Sequence, residues 1–293
     1  MINKKEIQNK INSVLNTRKI TRAMEMISVI KMKKSKIKRN QVKPYFNTLQ
    51  EIIFRLNNLC NNKNEKNEFF FKKNFNKIIF IIILSSKGLC GGLNANLFKY
   101  LFLYLKNFIL KRFSFKFIIF GKKESIFINQ FKKNIQEYNY NFYKNFNFNY
   151  IQKFSKKLFK RYQKKKIDKI CIVYNKYFSK KSYVPVIEQL LPIKICNKKD
   201  VRIKHSWDYI YESNPSLLYK DIFNRFFTVK IYYSILENLI NEHFSRMVAM
   251  KNATENSSNS IKNLQMTYNK ARQFNITQEL TEIISGASVI LMD

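Results

Sequence analysis

The residues whose types and spacing best suit chemistry fall in one run, Ser85-Ser86-Lys87-Gly88-Leu89-Cys90-Gly91-Gly92-Leu93-Asn94. The run follows an apolar, β-branched stretch and opens one with helical spacing, so its backbone N–H groups would sit at a strand-to-helix turn. Such a turn can cradle a phosphate. Its order, however, is not the G-x-x-x-x-G-K-[ST] that sets Lys and a hydroxyl on a nucleotide's phosphates and magnesium. Nor is it the G-x-G-x-x-G of dinucleotide folds. Gly88, Gly91 and Gly92 are therefore read as a tight crossing where only Gly fits. Cys90 could be a thiolate nucleophile at a helix N-terminus. Neither His205 nor His243 lies near it in sequence, and no Asp or Asn partner is evident, so it is read as structural. Carboxylate pairs for acid/base work are missing from this part of the chain. The sequence holds no catalytic constellation, and no cofactor or metal is expected.

Composition narrows the classes further. A chain of 293 residues with 45% apolar content can bury one sizeable core and carry an extended element besides. The formal charge of +36 invites a nucleic-acid reading, since basic surfaces bind phosphate backbones by releasing counterions. Yet the chain is also rich in Asn, Ile, Phe and Tyr and poor in Gly, Pro and Trp, a set that tracks A/T-rich codons. Genome-wide drift explains the lysines better than selection for a polyanion. Cys60, Cys90, Cys171 and Cys196 show no CxxC spacing, which argues against zinc or a disulfide framework and fits a reducing compartment. The opening MINKKEIQNK lacks the apolar core of a secretory signal. The most apolar run, Ile78 to Leu84, is too short to cross a bilayer, so a membrane would be reached only through partners.

Two long helices must frame the turn. Phe226, Val229, Tyr233, Leu236, Ile240, His243, Met247 and Met250 alternate spacings of three and four, the seam of a coiled coil. The ladder continues through Thr254, Ser257, Ile261, Leu264, Tyr268 and Ala271, then slips by one to Ile276, Leu280, Ile283, Ala287 and Ile290. A helix over this stretch would measure roughly 110 Å. Residues 1–59 predict a second long helix, with Ile7, Ile11 and Val14 on one face and Ile20, Met24, Ile27 and Ile30 continuing it. Pro44 should bend it near Lys43 unless a neighbour supports it.

Between them, residues 60–205 read as an α/β layer. Strands are expected at Lys77–Leu84, Phe115–Phe120 and Lys169–Tyr174, and helices at Leu93–Lys111, Lys123–Phe131 and Ile151–Lys165. Tyr138–Tyr143 is ambiguous. Tyr183–Ile195, with Pro185 and Pro192, suits an edge strand or an extended excursion. Residues 206–293 hold the connection and the long C-terminal helix, which Asn214-Pro215 would start.

Three stretches in order resemble the γ-subunit family of the F-type ATP synthase, the central shaft of the rotary motor. These are IQNKINSVLNTRKITRAMEMISVIKMKKSK from Ile7, SSKGLCGGLN from Ser85, and MVAMKNATEN with YNKARQFNITQELTEIISGA towards the end. VPVIEQLLPI and KHSWDYIYE suggest the proteobacterial branch. The resemblance implies an α/β fold: a long antiparallel coiled coil of the terminal helices, plus a Rossmann-like domain with a mainly parallel sheet. It implies that Met24 faces the region of Arg246 and Met247, that Met1 falls beside about Lys270, and that a single-helix tip follows. It implies a non-catalytic rotor that couples ion flow through the membrane c-ring to ATP synthesis or hydrolysis in an alpha/beta hexamer.

By the same resemblance, Arg272, Gln273, Thr277, Glu279 and Glu282 would meet the hexamer bore. Met24, Lys31, Lys33, Lys34 and Arg246 would form a collar facing the beta subunits. Lys43, Pro44, Tyr45, Trp207, Tyr209, Tyr211 and Glu212 would form the foot against the epsilon subunit and the c-ring. The expected location is the cytoplasmic face of the bacterial inner membrane, as a peripheral protein. Ser86 and Lys87 stand where the family usually has Asp and Arg, so no ion pair is carried over to the turn. The polar segment 252–260 should leave the seam loosely packed or open to a partner. The alternative is a basic coiled-coil protein that binds nucleic acid, and a third reading is a small nucleotide-binding α/β enzyme with helical arms.

Overall fold

The structure, a computed structural model, describes residues 4–62, 76–109, 114–121, 131, 134–139, 142–143, 146–179, 182–192 and 215–290. The elements in chain order are α1 (Lys4–Asn62), β1 (Lys77–Ile83), α2 (Leu93–Ile109) and β2 (Ser114–Phe120), then β3 (Ile135–Asn139) and α3 (Phe148–Gln163). β4 (Lys169–Ser179), β5 (Ser182–Leu191) and α4 (Pro215–Ile290) complete the series. The chain divides into two compact units, residues 31–245 and residues 1–30 with 246–293.

In the larger unit the sheet order is β3-β2-β1-β4-β5. β1 runs parallel to both β2 and β4, β2 runs parallel to β3, and β5 returns antiparallel to β4. β1 is an unbroken apolar run because both of its faces are covered. Ile79, Ile81 and Ile83 face a core built from α3, Leu56 of α1 and Phe223, Phe227, Ile231 and Ile235 of α4. Ile78, Phe80 and Ile82 face Leu97, Leu101 and Leu105 of α2. α3 buries Ile151, Phe154, Ser155, Leu158, Phe159 and Tyr162, the three-and-four spacing of one helical face. Each large side chain withdrawn from water contributes about 1.5–3 kcal/mol before chain entropy is counted.

Strand β4 is longer than expected, because its second half pairs with β5 through Tyr177 and Ser179. The ambiguous 138–143 stretch gives its first two residues to β3, which the sequence does not predict as a strand. Most of the expected 123–131 helix lies outside the described residues. Pro44 sits inside α1 without ending it. Phe46 and Leu49, just beyond it, are buried, and Phe46 stacks on Phe226 at 5.7 Å and on Tyr233 at 4.9 Å. That stacking is the neighbour a proline-containing helix needs.

In the smaller unit the two helices run antiparallel. Thr21 and Thr254 share a hydroxyl hydrogen bond of 2.8 Å, and the Lys4 ammonium lies 5.9 Å from the Tyr268 ring centre. This register sets Lys4 level with Tyr268, as expected, and Met24 about level with Lys251, roughly one turn beyond Arg246 and Met247. On α4 the ladder from Met250 through Ile261 to Ala271 faces inward as predicted. The expected α1 face is corrected. Ile20, Ile27 and Ile30 are 60%, 50% and 66% exposed, whereas Thr21 and Ser28 are buried. The seam keeps strict seven-residue time through Ile7, Ile11, Val14, Arg18, Thr21, Glu25 and Ser28, passing over polar positions. Ile20 and Ile27 depart from this register by one position after Asn16–Lys19, and Ile30 also lies off it, which is why the apolar pattern alone points to the wrong face.

Hydroxyls on this seam are satisfied locally. Ser28 donates to the Met24 carbonyl at 2.7 Å, Thr254 to Met250 at 2.8 Å and Ser257 to Ala253 at 2.7 Å. Back-bonding of this kind lets a helix carry small polar residues inward without unpaired groups.

Candidate functional site

The glycine-rich turn between β1 and α2 lies at the carboxyl end of the central strand. Leu89 and Gly91 both take left-handed backbone, with φ of 60° and 58°. Such geometry points successive N–H groups inwards. The amides that open the turn, those of Ser86 and Lys87, meet the chain's own carboxylate. Glu242 of α4, fully buried, accepts from the Ser86 amide at 2.8 Å, the Ser86 hydroxyl at 2.6 Å and the Lys87 amide at 3.4 Å. The position that a phosphate would need at Ser86 and Lys87 is filled from within. Asn94 at the start of α2 closes the turn, accepting from the Ser85 amide at 3.2 Å and donating to the Ser85 hydroxyl at 2.9 Å. Cys90 is buried, and its carbonyl accepts from the Ser245 hydroxyl.

The same face of α4 continues the attachment. Asn238 accepts from the amide and side-chain nitrogen of Asn175, each at 3.2 Å, and Asn241 donates to the Asn175 carbonyl at 2.6 Å. Tyr143 donates to the Leu84 carbonyl at 2.6 Å, and burial beside Glu242 pushes its hydroxyl pKa well up, so it stays a donor. Sequence reasoning missed Asn238, Asn241, Glu242 and Ser245. The available signal was their recurrence, with Ser234, at spacings of three and four in a mainly apolar stretch of the helix.

A second cluster joins α1, α4 and the β4–β5 edge. Glu188 pairs with Lys176 at 3.3 Å and with Lys230. Burial works to raise the Glu188 carboxyl, but those two cations hold it below its ordinary value. Glu237 nearby is pushed up by burial despite the Tyr233 hydroxyl and Arg39 beside it. Arg39 lies over the rings of Tyr177 at 5.4 Å and Tyr233 at 6.0 Å, a cation–π arrangement.

This arrangement holds elements together and brings no reacting groups to one place. Proteins similar to this chain are likewise parts of an assembly. A sequence model described as ATP synthase matches residues 3–290. The ATP synthase gamma chain of Buchnera aphidicola subsp. Acyrthosiphon pisum (strain Tuc7) is 42% identical over 293 residues, all of both chains. That of Buchnera aphidicola subsp. Schlechtendalia chinensis is 42% identical over 290 residues, 99% of each. The chain belongs to the ATP synthase gamma chain family. These relatives are proteobacterial, the branch that the sequence suggested.

Solved structures carry the same fold. A chain of the Euglena gracilis mitochondrial ATP synthase, seen as OSCP/F1/c-ring in rotational state 3, matches with a TM-score of 0.66 at 19% identity, over 98% of this chain and 94% of that one. A chain of the Tetrahymena thermophila mitochondrial ATP synthase central stalk and c-ring matches at 0.59 and 22% identity, over 80% and 99%. Nothing in these matches favours the nucleic-acid alternative.

Within this gamma chain the residues singled out from sequence fall in different places. Arg272, Gln273, Thr277, Glu279 and Glu282 are all exposed on the last turns of α4. Thr277 donates to the Gln273 carbonyl at 2.9 Å, and Glu282 accepts from Gln278 at 3.0 Å. Lys31, Lys33 and Lys34 are exposed and Met24 is half-buried, but Arg246 is only 7% exposed. Lys43, Pro44 and Tyr45 are exposed on α1. Trp207, Tyr209, Tyr211 and Glu212 lie outside the described residues. Gly88, Cys90, Gly91 and Gly92 come together in the turn described above. Among the described residues no helix is long and apolar enough to cross a membrane.

Proposed function

We propose that this gamma chain is the rotating, non-catalytic shaft of its ATP synthase, carrying torque between a membrane c-ring and an alpha/beta hexamer. The observation that carries the reading is α4, one helix of 76 residues whose early turns are buried in the α/β core and whose last turns are exposed. A helix rooted at one end and bare at the other is built to transmit force, and the Glu242 attachment supplies the root. Turning inside three otherwise equivalent subunit pairs, an asymmetric helix favours a different nucleotide-binding state in each. That bias is limited to the difference in contact free energy between the states.

In this reading Arg272, Gln273, Thr277, Glu279 and Glu282 contact the hexamer bore. Lys31, Lys33, Lys34 and Met24 form the collar facing the beta subunits, where exposed opposite charges attract without locking. Arg246, buried in its own chain, is left out of that contact set. Lys43, Pro44 and Tyr45, with Trp207, Tyr209, Tyr211 and Glu212, form the foot against the epsilon subunit and the c-ring. Residues 1–59 and 206–293 supply the shaft, and residues 60–205 its base. The chain meets the membrane only through these partners, on the cytoplasmic face.

The test is purification from membranes with subunit identification, followed by ATPase assays. Alpha and beta subunits should co-purify in excess over this chain, and the chain alone should turn over no ATP. Turnover by the isolated chain would falsify the non-catalytic role, and its absence from the complex would remove the shaft.

A further inference from the structure

We propose that a pocket at the amino-terminal edge of the sheet binds an oligophosphate. The cavity, about 570 Å³, opens where β1 and β2 begin and α3 ends. Lys77, Ser114, Lys116, Arg161, Lys165 and Lys166 line it. Of its ten lining residues five are cationic and none is a carboxylate. The whole chain has 55 Lys and Arg in 293 residues, so compositional drift alone would place about two there.

The nearby acids have partners of their own. Glu137 accepts from Lys157 at 3.2 Å and pairs with Arg161 Nη2 at 3.2 Å, and Asp168 accepts from the Asn76 and Lys77 amides, each at 3.0 Å. Arg161 Nη1 is buried and makes no hydrogen bond. Turned towards the cavity, that unpaired arm of the guanidinium would meet a phosphate oxygen in the favoured planar geometry.

The size selects the ligand class. The volume lies in the range of small-molecule pockets. As a sphere it would be roughly 10 Å across, so an ion at its centre lies about 5 Å from the wall, within the Debye length of about 8 Å at physiological salt, and all five cations act on it. Gathering like charges raises the energy of the empty fold, and a ligand with several adjacent negative charges relieves it. This edge is opposite the carboxyl ends of the strands, where open α/β sheets ordinarily take ligands. The site therefore owes nothing to the glycine-rich turn, and it does not rest on the rotor reading.

Calorimetric titration of the full chain with inorganic triphosphate at moderate salt tests it. One saturable site is expected. Lys116→Gln/Lys166→Gln should weaken binding about ten-fold or more. Lys99→Gln/Lys106→Gln, which removes the same charge from exposed positions on α2, should leave it unchanged. Lys116→Gln alone should give a smaller loss in the same direction, and circular dichroism checks that each variant is folded. Equal affinity for ATP and triphosphate would mean that the phosphate tail alone is held; tighter ATP binding would mean that the nucleoside is held as well. Competition by vesicles of anionic phospholipid would identify a lipid headgroup as the source of the phosphate. An absence of saturable binding, or an equal loss in both double variants, overturns the proposal.

Discussion

Removing the buried Glu242 carboxylate would take their acceptor from the amide of half-buried Ser86 and from the Lys87 amide. Each buried donor left unpaired costs about 1–3 kcal/mol, so Glu242→Ala should destabilise the α/β unit by about 3 kcal/mol. Ser86→Ala, which gives up only one hydroxyl, should cost about 1 kcal/mol. Urea midpoints of the two variants check both the size and the order. Glu237 behaves in the opposite sense. Its folded pKa is raised, chiefly by burial, and its Oε2 is buried without a hydrogen bond. Stability linked to it is complete below the ordinary carboxylate value of 4.5 and is lost as pH rises through the folded pKa. Glu237→Gln should therefore stabilise the protein at neutral pH, and the gain should shrink as pH falls towards 4.5. Urea unfolding at neutral and acid pH reads it, and a gain independent of pH would contradict it. Neither carboxylate stood out in the sequence, because a single Glu in a long helix looks the same whether it meets water or a turn 156 residues away.

At the scale of elements, legibility followed periodicity. β1 was plain, since Ile78 to Ile83 is too uniformly apolar for anything but a strand covered on both faces. The α4 ladder was plain for the same reason. The α1 seam was misread because Thr21 and Ser28 hold inward positions while Ile20, Ile27 and Ile30 face outwards, so hydrophobicity and register disagree there. β3 escaped because Ile135–Asn139, reading IQEYN, offers little alternation and owes its strand to pairing with β2. The polar layer on the seam carries its own consequence. Replacing both members of a buried hydroxyl pair by an apolar isostere removes a hydrogen bond without stranding a partner. Thr21→Val/Thr254→Val should thus be neutral or stabilising by about 1 kcal/mol, with slower amide exchange in the flanking turns. A marked destabilisation would mean that the hydroxyl pair, rather than the packing around it, holds the helices in register.

At the scale of the molecule, the seam runs out before the helix does. Ala271 is the last residue of the ladder that is partly covered, and Ile276, Leu280 and Ile283 lie open on α4. The slip in the sequence pattern at that point marks the same change: large apolar residues continue although, among the described residues, none covers Ile276, Leu280 or Ile283. A lone helical segment of this size is marginal in water, because it gains hydrogen bonds without packing to offset chain entropy. If the proposed hexamer bore supplies the packing, the tip should be the least protected helix of the isolated chain and become protected on assembly. Hydrogen exchange should find residues 272–290 exchanging rapidly alone and at least about ten-fold more slowly in the complex. Truncation after Ala271 should change the stability of the isolated chain by less than about 0.5 kcal/mol, since it removes almost no buried surface. The same truncation should weaken retention of the chain by the alpha and beta subunits on gel filtration. Equal exchange in both states, with retention unaffected, would move the hexamer contact away from the tip and on to the collar.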